Sequence, residues 1–191
     1  VQLKSKVTKV VCSLGVASHL MYWGYDKNII TELDWWDEIE LNGIKLTATP
    51  ARHFSGRLIK RAQTLWSSFV LQSKEYQLFL GGDSGYGDHF VEIGKRFGGF
   101  DIALLECGQY NTKWPMIHML PEETVQANID LRSKMLLPVH WGKFALAFHS
   151  WNEPALRVVK RAQQLNIEYS IPKIGERVVV GENGKIEEWW R

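Results

Sequence analysis

KMLLPVHWG, residues 134–142, is an apolar run that stops on a histidine, His140. Two other stretches end alike: TATPARHFSGR, residues 47–57, runs into His53, and QLFLGGDSGYG, residues 77–87, runs into Asp83. Short runs of apolar residues bounded by Gly or Pro read as strands. Three strands that each deliver a metal-ligating side chain at the carboxyl end point to a layered α/β domain, because ligands in such sheets gather beyond the carboxyl ends of the strands.

Working outward, KVTKVVCSL (6–14) reads as a strand and GVASHLMYWG (15–24) as a short helix. DEIELNGIKLTATP (37–50) predicts a hairpin turning at Asn42-Gly43, since Asn-Gly favours the positive φ values of a tight turn. WSSFVLQS (66–73) and YQLFLGG (76–82) predict a second strand pair. In GDHFVEIGKRFG (87–98), Phe90, Ile93 and Phe97 share one helical face and Gly98-Gly99 stop it. FDIALLE (100–106) reads as a buried strand, and residues 107–120 as a long loop. A helix follows from Pro121 to about Arg132, with Glu122 and Glu123 suited to its first turn. NEPALRVVKRAQQLN (152–166) predicts a helix capped by Asn152, and RVVVGENGKIEEWW (177–190) a closing hairpin.

The length of 191 residues suits a single domain over 1–191, and the net charge of +2 argues against a nucleic-acid binder, which would carry a basic stripe. No run of 18 apolar residues occurs, so nothing here spans a membrane as a helix. The two cysteines, Cys12 and Cys107, both sit in apolar strand-like runs and read as buried thiols of a reducing, cytoplasmic compartment. A nucleophilic Cys107 is the lesser alternative. GDSG, residues 82–85, matches the string around a serine-protease nucleophile, but four residues match easily by chance and that fold is all-β.

His and Asp suit zinc, iron or manganese without a thiolate. His53, Asp83 and His140 stand 30 and 57 positions apart, so the fold must assemble them. The glycines at 81, 82, 85 and 87 let the backbone turn sharply and approach a ligand around Asp83. His118, in the long loop before Pro121, is a candidate general acid or substrate contact, with a solvent-exposed loop residue as the alternative. Arg52 and Arg57 flank His53 and are candidates for binding a phosphate, with structural roles open beside that. Trp141 would wall the site; with Trp35, Trp36 and Trp114 it could line an apolar groove or meet a lipid surface, ordinary packing being the alternative.

In order, TATPARHFSGR, LFLGGDSGY (78–86), MIHMLPEE (116–123) and LLPVHWGKFALAFHSWNEP (136–154) resemble the C-terminal half of the metallo-β-lactamase superfamily. Within it, ITELDWWDEIELNGIKLTATPARHFSGR (30–57) is most similar to the branch of N-acylphosphatidylethanolamine-hydrolysing phospholipase D and its bacterial relatives. The resemblance implies an α/β fold, part of a four-layer αβ/βα sandwich. It implies His53 and His140 as metal ligands, Asp83 as the carboxylate bridging two metals, and His118 as an active-site histidine. It further implies two zinc ions, with iron or manganese as alternatives, holding a hydroxide that attacks the phosphorus of a small-molecule or lipid phosphodiester. Lactones and other esters are the nearest other substrates.

The family's His-x-His-x-Asp-His signature, which supplies four further ligating side chains, does not occur in these residues. Each metal would then take two side chains from this chain, where zinc sites usually have three or four protein ligands. With the first residue not Met, the expectation is the C-terminal part of a larger hydrolase domain, inactive alone. A chain that keeps the fold as a non-catalytic binding or assembly module is the second reading. Either way an apolar sheet face should stand uncovered, favouring a homo-oligomer.

Overall fold

A computed structural model describes residues 3–56, 61–144, 146–181 and 187–191. Strands β1 (Val10–Ser13) and β2 (Ile30–Leu33) pair in parallel, Val10 beside Ile30 and Ser13 beside Leu33, with α1 (Val16–Tyr22) between them in the chain. The main sheet has seven strands in sequence order: β3 (Glu38–Leu41), β4 (Ile44–Pro50), β5 (Ser67–Gln72), β6 (Gln77–Leu80), β7 (Phe100–Glu106), β8 (Ser133–Val139) and β9 (Glu168–Tyr169). The pairs from β3 to β6 are antiparallel and those from β6 to β9 parallel. Helices α2 (His89–Phe97), α3 (Pro121–Asp130) and α4 (Glu153–Gln164) provide the crossovers between the parallel strands.

Strand side chains alternate between faces, so the register sorts them into rows. Val70, Phe79, Ala103 and Leu136 are register neighbours across β5–β8, and they form one buried core with Phe90 and Ile93 of α2, Val125 and Ala127 of α3, and Val158 and Ala162 of α4. The apolar positions of α4, Ala155, Val158, Val159 and Ala162, recur at the spacing of a single helical stripe. At Gly94 a Cβ would run into the Asp130 carbonyl, so α2 and α3 cross at backbone contact there.

The alternate positions form two more rows, Leu71–Leu78–Ile102–Met135 and Phe69–Leu80–Leu104–Leu137. They lie on the sheet face away from α2, α3 and α4. A sheet apolar on both faces is one built to be covered on both.

The Asn42-Gly43 turn forms as predicted, with φ of 52° and 79°. β2 was not expected: in ITEL two polar residues interrupt the apolar signal, and pairing with β1 decides the matter. Asn152 stands at the N-cap of α4 as expected, but its side chain makes no capping hydrogen bond; its amide donates to the Trp190 carbonyl at 2.9 Å, tying the chain's end to the helix start. In the expected closing hairpin, residues 182–186 lie outside the described residues, and 177–181 and 187–191 form no strand. Trp190 is instead fully buried against Ala155, Val159 and Ile171. Cys107 is buried as expected, whereas Cys12 is only half-buried.

Candidate metal centre

The carboxyl ends of β4, β6 and β8 lie at one end of the sheet, and there the structure gathers His53, Asp83, His118 and His140. His140 Nε2 stands 3.4 Å from Asp83 Oδ2. The His118 ring lies between the other two imidazoles, edge-on to His53 at a centroid distance of 5.2 Å and stacked on His140 at 5.4 Å. Asp83 and His140, 57 positions apart, thus meet, and the loop histidine links His53 to them.

Close backbone approach holds these loops together. A Cβ at Gly85 would collide with the Met116 carbonyl, and one at Gly108 with the His140 carbonyl. His140 itself adopts φ 62°, the left-handed region, which costs a non-glycine residue on the order of 1 kcal/mol. Strain of that kind persists where the surroundings fix it, and here it turns the chain at the end of β8.

A metal fits the donor set. His53 Nδ1 lies 2.8 Å from the Phe54 carbonyl, which commits that nitrogen as the donor and leaves Nε2 with a free lone pair. Nε2 is buried and has no hydrogen-bond partner among the described residues. An unpartnered buried acceptor is costly, and a cation bound at Nε2 would satisfy it. Two imidazoles and a carboxylate suit zinc, iron or manganese.

Sequence reasoning missed Glu106. It ends β7 with no solvent exposure, and burial pushes its carboxyl well above the usual range, against the pull of the Met119 N–H and of His140. Glu106, His118 and His140 each offer a ligand atom within 4.8 Å of the others, among the described residues. The signal was a lone carboxylate closing the otherwise apolar run FDIALLE. Burial also pushes the His118 imidazole below its usual value, partly opposed by Asp83.

The other candidates spread around this centre. Arg52 donates from Nη1 to the Tyr86 carbonyl at 3.0 Å. Arg57 lies outside the described residues. Trp141 stacks on Trp151 and Trp189, at 6.4 and 5.3 Å, and donates to the Pro138 carbonyl. Cys107 is fully buried and its thiol is pushed well above its usual value by that burial, which disfavours the nucleophilic thiolate. Ser84 Oγ is buried, accepts from Arg52 N and donates to the Gly85 carbonyl. It joins two loops of the site and is no exposed nucleophile.

Comparison with known proteins agrees with this fold. Residues 2–141 match the beta-lactamase superfamily domain. An uncharacterised protein of Mycobacterium tuberculosis is 42% identical over 181 residues, covering 93% of this chain and 49% of that protein. The mitochondrial N-acyl-phosphatidylethanolamine-hydrolyzing phospholipase D of Saccharomyces cerevisiae is 40% identical over 150 residues, covering 73% of this chain and 32% of the enzyme. The chain thus spans about half the length, or less, of these relatives. Among solved structures, the metallo hydrolase Igni18 of Ignicoccus hospitalis superposes with a TM-score of 0.72 at 17% identity, over 93% of this chain and 70% of that one. The chain belongs to the metallo-β-lactamase superfamily, a family of metal-dependent hydrolases, with N-acylphosphatidylethanolamine-hydrolysing phospholipase D among its relatives.

Proposed function

We propose that this chain carries the C-terminal half of a metal-dependent phosphodiesterase centre, acting on a lipid or small-molecule phosphodiester. The observation that supports it is the buried, unpartnered Nε2 of His53, placed with Asp83 and His140 at the carboxyl ends of three strands. Bound there, a zinc pair, or iron or manganese, would supply Lewis acidity and a nucleophile at neutral pH. His53, His140 and Asp83 would hold the metal through two imidazoles and a carboxylate. His118, kept neutral by burial, holds a proton or a lone pair within reach of the reacting group. Arg52 brings a positive charge next to His53 in the chain, Arg57 a second, and the stacked Trp141 forms a rigid wall. The remaining ligands come from outside these residues.

A lipid substrate is favoured by the loop that follows His140. Phe144, Leu146 and Phe148 are 75%, 70% and 96% exposed, an apolar lip beside the site. The chain's other sheet face, with its rows of leucines, is the proposed surface for self-association or for the rest of the sandwich.

The test is turnover by a gene product extended upstream to include a His-x-His-x-Asp-His segment. With zinc, it should hydrolyse an N-acylated phosphatidylethanolamine or a simple diaryl phosphodiester, and Asp83→Asn should lower kcat by at least about 100-fold. Hydrolysis of lactones alone would replace the phosphodiester by a carboxylic ester. No turnover under any metal would favour the binding-module reading.

A further inference from the structure

Glu106 is a fully buried carboxylate that the reading above gives no task. Its surroundings are specific. Oε1 accepts the Met119 backbone N–H at 2.6 Å, and its own carbonyl accepts from the Thr124 hydroxyl at 2.8 Å. Oε2 lies 3.5 Å from His118 Nδ1. Both of those atoms are buried and neither has a hydrogen-bond partner among the described residues. Two orphaned polar atoms facing each other just beyond a good hydrogen bond are most economically satisfied by each other, since each costs free energy while unpaired. Apo sites often show such bonds long, to tighten when the site fills.

We propose that Glu106 is the positioning residue for His118. One oxygen pins the backbone just after the histidine and the other takes Nδ1, so that the ring is held in one tautomer with Nε2 as its free nitrogen. This rests on the proposed role of His118 in the hydrolase, and it adds a residue that touches neither substrate nor the expected metal pair. The same three groups, Glu106, His118 and His140, are near enough to share a cation. Against that stands the Met119 N–H already held by Oε1, and the burial of Oε2 directly opposite Nδ1.

The experiment reads the His118 ring nitrogens by 15N NMR in this chain, free of metal, together with exchange of the Met119 amide. In E106Q the side-chain oxygen must stay on the Met119 N–H, which needs an acceptor, so the amide NH2 takes the place of Oε2. That group only donates, so His118 should become a single Nε2–H tautomer while Met119 stays protected. In Glu106→Leu, which fills the site without polar atoms, His118 should become a tautomer mixture and Met119 should exchange about tenfold faster or more. If Glu106→Leu leaves the tautomer and the exchange unchanged, or E106Q shows an Nδ1–H ring, the assignment is wrong. Neither readout uses metal or substrate, so such a failure speaks against Glu106 alone; failure of the hydrolase reading would show in turnover by the extended protein.

Discussion

His89 lies under the Asp83 loop, with Nε2 3.3 Å from Ser84 Oγ and its ring 4.1 Å from that of Phe90. Burial, followed by the Arg52 charge, lowers its pKa to about 4, against the opposing pull of Asp88. A base whose folded pKa is depressed must be neutral in the native state, so the unfolded chain binds more protons between about 6.5 and 4. Stability contributed by neutral His89 is therefore complete above pH 6.5 and lost as pH falls toward 4. On the order of 1–3 kcal/mol should disappear across that window, and His89→Gln should flatten the decline, as read from denaturant midpoints at a series of pH values. At this scale the sequence was partly legible. His53, Asp83 and His140 announced themselves by ending strands, but Glu106 was hidden because a single carboxylate at a strand end looks like an edge residue until burial is known.

At the scale of elements, the Asn42-Gly43 hairpin and the helices with local signals formed where the sequence placed them, while the described residues of the expected closing hairpin form no strand. Asn42-Gly43 set a turn by its φ preference, and Pro121 opened α3 with Glu123 accepting the Leu120 N–H at 2.8 Å. What failed was what depends on partners. β2 exists through β1, and Asn152 found the Trp190 carbonyl in place of its own helix. The loop after His140 is the element with the clearest functional consequence. Gln109 shapes it from within: its side-chain oxygen accepts the Leu146 and Ala147 N–H groups at 3.0 Å each, and its backbone N–H reaches His149. The exposed apolar side chains are thus presented on a braced loop. Replacing Phe144 and Phe148 together by Ser should weaken co-sedimentation of the chain with phosphatidylethanolamine-containing vesicles by about tenfold or more, given about 1.5–3 kcal/mol for burying one such side chain. Equal sedimentation of the parent and the double variant would remove the loop from any lipid contact.

Over the whole molecule, one sheet carries two assignments. Its first face is closed by α2, α3 and α4, and its second is apolar but left by those helices. Its carboxyl edge gathers His53, Asp83, His118 and His140. The fold class was readable because alternating strands and helices follow from local patterns, while the meeting of His53, His118 and His140 required the tertiary structure. The claim that most depends on this arrangement is that His53, Asp83 and His140 form one metal site. Titrating zinc into the 15N-labelled chain while following the histidine ring nitrogens tests it most directly. The ring nitrogens of His53 and His140 should move together, the exposed His19 of α1 should not, and Asp83→Ala should weaken the response at least about tenfold. Unmoved His53 and His140 signals at millimolar zinc, or the same response in Asp83→Ala, would contradict the account.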